Sequence, residues 1–199
     1  EQMGNVEYPP VTGDNVDWHF EPYRDTLQVA MVDDPIRFYD GNSTLKGSIT
    51  YTPERLDGHG TFEFENSIME SNLMEFKFAD IYSGTVDFSL KTGSMGGIGF
   101  VTNNIKAHID FRARVGEFES NGESSIIEFK DNQYIARMDR FKWYMDQETV
   151  ELSGKKRTES KGATSVAIEG AKLTSIHPDQ DSLYFYSSAC KWDTRNSIL

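Results

Sequence analysis

Along much of the chain apolar and polar residues alternate with a period of two. Thr61–Glu65 (TFEFE), Met74–Phe78 (MEFKF), Val86–Leu90 (VDFSL), Ile105–Phe111 (IKAHIDF), Glu117–Glu119 (EFE) and Ile126–Phe129 (IIEF) all follow it. That period places one face of an extended strand against a core and the other against water. Further strands are expected at Leu27–Val32, Ile36–Tyr39, Ser48–Tyr51, Tyr134–Met138, Phe141–Met145, Val150–Leu152, Val166–Ile168, Lys172–Ile176 and Leu183–Tyr186. Turn signals lie between them: Asp40-Gly41-Asn42, Asp57-Gly58, Ser120-Asn121-Gly122 and Ser153-Gly154. About a dozen to fifteen short strands without a sustained helical repeat predict an all-β antiparallel sandwich or jellyroll of stacked hairpins.

Three segments depart from the alternation. Residues 1–25 contain three of the six prolines and read as an irregular N-terminal arm or linker, leaving 26–199 as a single all-β domain. Gly93–Gly99 (GSMGGIG) reads as a flexible loop, with no Lys-Ser or Lys-Thr and helix after it to make a phosphate cradle. Ser153–Ala163 (SGKKRTESKGA) reads as a polar, basic surface loop. The first residue is Glu1 and the last four, Asn196–Leu199, form no polar tail, so a fragment of a longer, processed protein is expected.

An internal echo accompanies the strands. Lys46-Gly47-Ser48-Ile49-Thr50-Tyr51 has the pattern of Lys106-Ala107-His108-Ile109-Asp110-Phe111, and each is followed by a turn and a glycine-led return, Gly60–Asn66 and Gly116–Asn121. The first copy has the longer turn, Thr52–His59. Such a strand, turn and Gly-x-aromatic-acidic unit, used twice, suits stacked hairpins.

Composition narrows the function. Lys and Arg number 20 against 32 Asp and Glu, a net charge of −12, and the mean hydropathy is −0.56 with 13% aromatic residues. No stretch approaches the roughly 20 apolar residues of a membrane-spanning helix, and an acidic chain lacks the basic face on which nucleic-acid affinity rests. The acidity is uneven: residues 1–100 have 17 acidic and 6 basic side chains, whereas residues 101–199 have 15 and 14. Solvated strand faces account for most of it, and steering of a cationic partner would come from the first half.

Individual residues carry little catalytic chemistry. The single cysteine, Cys190, excludes an internal disulfide, and in YFYSSACKW it reads as a small buried hydrophobe. His19, His59, His108 and His177 are scattered, which speaks against a zinc site, and Asp179 and Asp181 supply only part of a calcium loop. Neither a metal nor a cofactor is expected. Glycoside hydrolysis would need two carboxyl groups facing each other across a cleft, and nearly every Glu here alternates with an apolar neighbour on a strand. The aromatics are the better candidates. Phe62, Phe64, Phe76, Phe78, Phe88, Phe111 and Phe118 form the expected inner face, as ordinary core or as the lining of an apolar ligand site. Trp18, Trp143, Tyr144 and Trp192 adjoin polar residues, and FKWYM breaks the alternation so that Trp143 or Tyr144 should face outward.

The stretch Asp181–Leu199 (DSLYFYSSACKWDTRNSIL), with its small-residue and aromatic-Asp step Ala189-Cys190-Lys191-Trp192-Asp193, resembles the OstA-like domains of lipopolysaccharide transport. Leu56–Phe62 (LDGHGTF) is similar to their glycine-marked hairpin, and Thr44–Asp193 as a whole is similar to large repetitive cell-envelope proteins of the Bacteroidetes type. The resemblance implies an open β-jellyroll that stacks end to end on neighbouring repeats, with an apolar interior able to shelter acyl chains, in the periplasm or envelope of a Gram-negative bacterium. The high aromatic and acidic content and the long insertions depart from that family. The expectation is therefore a non-enzymatic extracytoplasmic scaffold or binding module for an apolar or lipid ligand. The alternative is a carbohydrate-binding or carbohydrate-cleaving jellyroll using Trp143, Tyr144, Asp139 and Asp146.

Overall fold

A computed structural model describes residues 7–92, 97–122, 125–137, 139–154, 157–161, 164–168 and 170–199. The strands follow in chain order, starting with β1 (Val11–Thr12), β2 (Val16–Glu21), β3 (Thr26–Met31), β4 (Ile36–Phe38) and β5 (Ser43–Tyr51). The long strands come next: β6 (Leu56–Phe64), β7 (Ser67–Phe76), β8 (Asp80–Thr92) and β9 (Gly97–Asp110). Then come β10 (Val115–Ser120), β11 (Ile126–Phe129), β12 (Tyr134–Arg137), β13 (Arg140–Tyr144) and β14 (Thr149–Ser153). The last are β15 (Arg157–Lys161), β16 (Thr164–Ile168), β17 (Ala171–Ser175), β18 (Tyr184–Ser187) and β19 (Cys190–Asp193). Among the described residues every strand pairing is antiparallel, and the helical segments are single 3₁₀ turns. The all-β expectation holds. No helix among the described residues is long and apolar enough to cross a membrane.

The centre is a meander, β5 to β9, and both of its outer strands fork. On its free side β5 pairs with β4 through Ser43–Leu45 and with β3 through Ser48–Tyr51. Likewise β9 pairs with β11 through Phe100–Thr102 and with β10 through Ile105–Asp110. The two echoing segments of the sequence thus lie in the two forking strands. From the first fork run the prongs β3–β2 and β4–β1. From the second run β10–β13–β14–β19 and β11–β12–β17–β18.

The sheet curls until it packs on itself. Five strand steps separate β6 from β13, which in a flat sheet would be about 24 Å. Yet the rings of Phe64 and Trp143 lie 5.4 Å apart. Four steps separate β9 from β19, and Phe100 sits 5.5 Å from Trp192. The strands are therefore two layers of a sandwich whose shared interior is a chain of aromatic contacts. Offset or edge-on ring pairs of this kind add to the burial of area itself. Phe62, Phe76, Phe88, Phe100, Phe129, Phe141, Trp143 and Trp192 are all buried in it.

Local readings change in four places. Residues 16–21, inside the segment expected to be an irregular arm, form β2 and pair in unbroken register with β3. Asp57-Gly58, expected as a turn, is inside β6, so the turn shortens to the residues between Tyr51 and Leu56. Glycine is needed there for close approach: a Cβ on Gly47 would stand 1.9 Å from the His59 carbonyl oxygen, and its partner Gly60 has φ +124° beside a bulge. Arg157–Lys161, expected within a basic loop, forms a strand and pairs with Thr164–Ile168, which contains the expected strand Val166–Ile168. Of the glycine-rich stretch, residues 93–96 lie outside the described residues, and Gly97–Gly99 open β9.

Candidate functional site

The seven phenylalanines do not share one face. Phe62, Phe64, Phe76, Phe88 and Phe118 are buried and touch one another or Trp143, with Phe62 5.3 Å from Phe76 and Phe88 4.4 Å from Phe118. They fill the interior as core. Phe111 is half-buried at the end of the core, between Tyr39 and Phe64. Phe78 lies past the end of β7 and is 46% exposed, with the Arg112 guanidinium 5.4 Å from its ring. The turn at Lys77–Ala79 reverses the chain there, so the alternation that put Phe78 inward ends one residue pair too early. Trp143 is 1% exposed and offers no platform to a sugar, while Tyr144 is the half-exposed member of that pair.

Space for an apolar ligand lies elsewhere, between the prongs of the first fork. A cavity of about 460 Å³ is bounded by Leu27 and Val29 of β3, Ile49 and Tyr51 of β5, Ile36 of β4, Leu56 of β6, Val16 of β2, and the strand-like run Tyr8–Gly13. It lies where β5 passes from pairing with β4 to pairing with β3, and its lining is mostly aliphatic, with Tyr8 and Tyr51 the aromatic members. Tyr8 forms one wall: its hydroxyl donates to the Thr52 carbonyl at 3.0 Å and its ring meets Tyr51 edge-on at 5.1 Å. Burial, reinforced by Tyr51 and Glu54, raises the Tyr8 hydroxyl pKa, so it stays a neutral donor. Hydrogen-bonded polar pairs stand nearby, Arg37 of β4 to Asp14 at 2.7 Å and Asn15 to Asp33 at 2.8 Å. None of the expected site residues lines this cavity. The signal that marks it is the strict alternation Val16-Asp17-Trp18-His19-Phe20-Glu21, inside the stretch dominated by prolines.

A second, larger concavity of about 790 Å³ crosses the outer face of β7, β8, β9, β10 and β13. It carries a ladder of hydrogen-bonded polar pairs. Lys142 meets Glu117 at 2.6 Å, His108 meets Asp80 at 2.9 Å, and Arg140 meets Glu119 at 3.4 Å. The hydrogen bond from Lys142 holds the Glu117 carboxyl below the ordinary range, opposite to what a general acid requires. Tyr82 and His108 stack in parallel at 4.3 Å, and Lys77 approaches the Tyr82 ring to 4.7 Å. Beneath them the β7–β8 ladder opens between the pairs Glu70↔Asp87 and Glu75↔Tyr82 without a change of register, and there the buried hydroxyls of Ser71 and Ser83, 2.9 Å apart, bind the freed carbonyls of Leu73 and Thr85.

The remaining candidates are structural. Cys190 is half-buried in β19 and burial pushes its thiol up to about 11, which removes thiolate character at neutral pH. His177 caps the 3₁₀ turn Pro178–Gln180 by accepting from the Asp179 amide at 3.1 Å, which accounts for the acidic turn after β17. Among the described residues no group of three or more His, Cys, Asp or Glu side chains is gathered as a metal would require. No protein-family model, curated protein or solved structure matches the chain.

Proposed function

We propose that the chain is a non-enzymatic binding module of the extracytoplasmic envelope that shelters an apolar ligand, the acyl part of a lipid, in the cavity of its first fork. The observation that carries this reading is the cavity's composition: Val16, Leu27, Val29, Ile36, Ile49 and Leu56 converge on about 460 Å³ of space, with the Tyr8 hydroxyl turned to the backbone. That volume lies in the range of small-molecule sites, which are mostly apolar with a few placed polar groups. It is roughly three times an apolar cavity that already admits benzene. The envelope location and neighbouring repeats as partners rest on the OstA-like resemblance of the hairpins and of Asp181–Leu199.

The test is native mass spectrometry on protein purified without detergent, followed by titration with a fluorescent acyl probe. Binding that disappears in Val29→Trp, with the far-ultraviolet spectrum unchanged, is the expected result. Probe binding that survives Val29→Trp, or glycan binding without any lipid, overturns the reading.

A further inference from the structure

The strand β2 is an edge with few of the usual defences. Natural edges are blunted by charged side chains, lysine above all, by proline, by bulges or by shortness, and β2 sets only Asp17, His19 and Glu21 on its polar face. Over its six residues β2 has neither Lys nor Pro, and it runs in register with β3 from Val16↔Met31 to Glu21↔Thr26 without a bulge. Among the described residues β3 is its one strand partner. Its side chains are exposed as well, Trp18 at 70% and Phe20 at 49%. Directly opposed residues of an antiparallel pair share a face, so Trp18, opposite Val29, and Phe20, opposite Leu27, continue the apolar face of the fork outward. The other exposed aromatic edge, β18, is four residues long, and the Lys172 ammonium lies 4.1 Å from its Tyr184 ring.

The backbone of β2 selects a partner. The Val32 amide donates to the Asn15 carbonyl at 3.1 Å, so Asn15 turns its backbone towards β3. Antiparallel pairing alternates, which turns Asp17, His19 and Glu21 the same way and leaves the amides and carbonyls of Val16, Trp18 and Phe20 pointing outward. We propose that this edge binds a second copy of the chain, β2 against β2 in antiparallel register centred on Trp18, around a two-fold axis normal to the sheet.

Three things favour that register. Val16 opposes Phe20 of the second copy, Trp18 opposes its counterpart, and each of these pairs exchanges two hydrogen bonds between groups that already face outward. Asp17 opposes His19 of the second copy on the polar face, twice by symmetry, an acid against a base. On the apolar face the aromatic and β-branched side chains meet as cross-strand pairs. A register centred on His19 instead would oppose Asp17 to Glu21 and bring Val16 to Pro22, which has no amide to donate. The two-fold axis keeps both apolar faces on one side, so the fork cavities of the two copies open onto one continuous wall. The contact is isologous and closes at two copies.

Sedimentation equilibrium over a concentration series tests the pairing, with acrylamide quenching of fluorescence alongside. Trp143 and Trp192 are buried, so Trp18 is the accessible emitter. A mass approaching twice 22.6 kDa, with Trp18 losing quencher access as dimer forms, is expected. His19→Asp, which sets two pairs of carboxylates opposite each other, should weaken association about tenfold, and adding Asp17→Lys should restore it. Trp18→Pro, which removes an outward amide and no bond to β3, should leave a monomer. A chain that stays monomeric throughout, or a dimer indifferent to His19→Asp and Trp18→Pro, overturns the proposal.

Discussion

The two forks are built alike and filled differently. In each, a long strand of the meander holds an unbroken neighbour on one side and two shorter strands end to end on the other. Between the prongs of the second fork stand Phe100, Phe129 and Trp192, each within 5.6 Å of the other two. The Trp192 indole donates to the Asn132 side chain at 3.1 Å, and Asn132 in turn donates to the Ser197 carbonyl, tying the chain end across that fork. Between the prongs of the first stand Leu27, Val29, Ile36 and Ile49, and a cavity remains. Rings fill the space between the prongs of the second fork, whereas the branched aliphatic side chains of the first leave part of theirs open. The same backbone device therefore makes a core at one end and a container at the other.

The largest way to break this comparison is to empty the second fork. Trp192→Ala removes a fully buried indole and leaves Asn132 without its donor, and should cost about 3–5 kcal/mol. Urea denaturation measures it. Val29→Ala in the first fork removes two methyl groups that already face empty space, and should cost no more than about 1 kcal/mol. Equal losses at the two sites would mean that the first fork is packed as tightly as the second. Enlarging Val29 to Ile should be neutral or stabilising by up to about 1 kcal/mol while weakening binding of an apolar probe, because the added methylene enters the cavity without overpacking.

Electrostatics contribute less and do not distinguish the forks. Glu63 accepts from Lys46 at 2.7 Å and from Lys91 at 3.1 Å, and these bonds hold its carboxyl below the ordinary 4.5. A lowered carboxyl stabilises the fold in full above that pH, and the stabilisation is lost as pH falls through the lowered value. Glu63→Gln should therefore cost at most about 1 kcal/mol at pH 7 and nothing once the wild-type carboxyl is protonated. Thermal melts from pH 7 down to pH 3 check the sign. Finally, the raised thiol of Cys190 makes it a reporter of the second fork, with alkylation at pH 8 far slower than for a free thiol until denaturant opens β19.

Legibility in the sequence followed the strength of the local pattern. Val86–Leu90 and Ile105–Phe111 alternate strictly, and their inward phenylalanines and isoleucines are where that alternation puts them, apart from the half-buried Phe111 at the strand's end. Residues 16–21 alternate as strictly, but Pro9, Pro10 and Pro22 around them outweighed six residues of pattern, and so the first fork was missed. Phe78 shows the opposite error, because alternation cannot tell where a strand stops and a turn begins. Gly58 read as a turn because glycine serves turns and close packing equally well, and only the Phe76 ring, 2.4 Å from where its Cβ would stand, distinguishes the two.

By itself the sequence determined the strand character, the antiparallel class, the wet and dry faces and the internal echo, because each depends on neighbours a few residues apart. The forks, the curling that brings Trp143 onto Phe64, and the cavity were decided by the tertiary structure. They depend on which of two prongs a strand joins and on side chains from distant segments sharing one space. Trp143 and Trp18 make the point: both flank polar residues in the sequence, and only the folding of the sheet buries the first and leaves the second at an open edge.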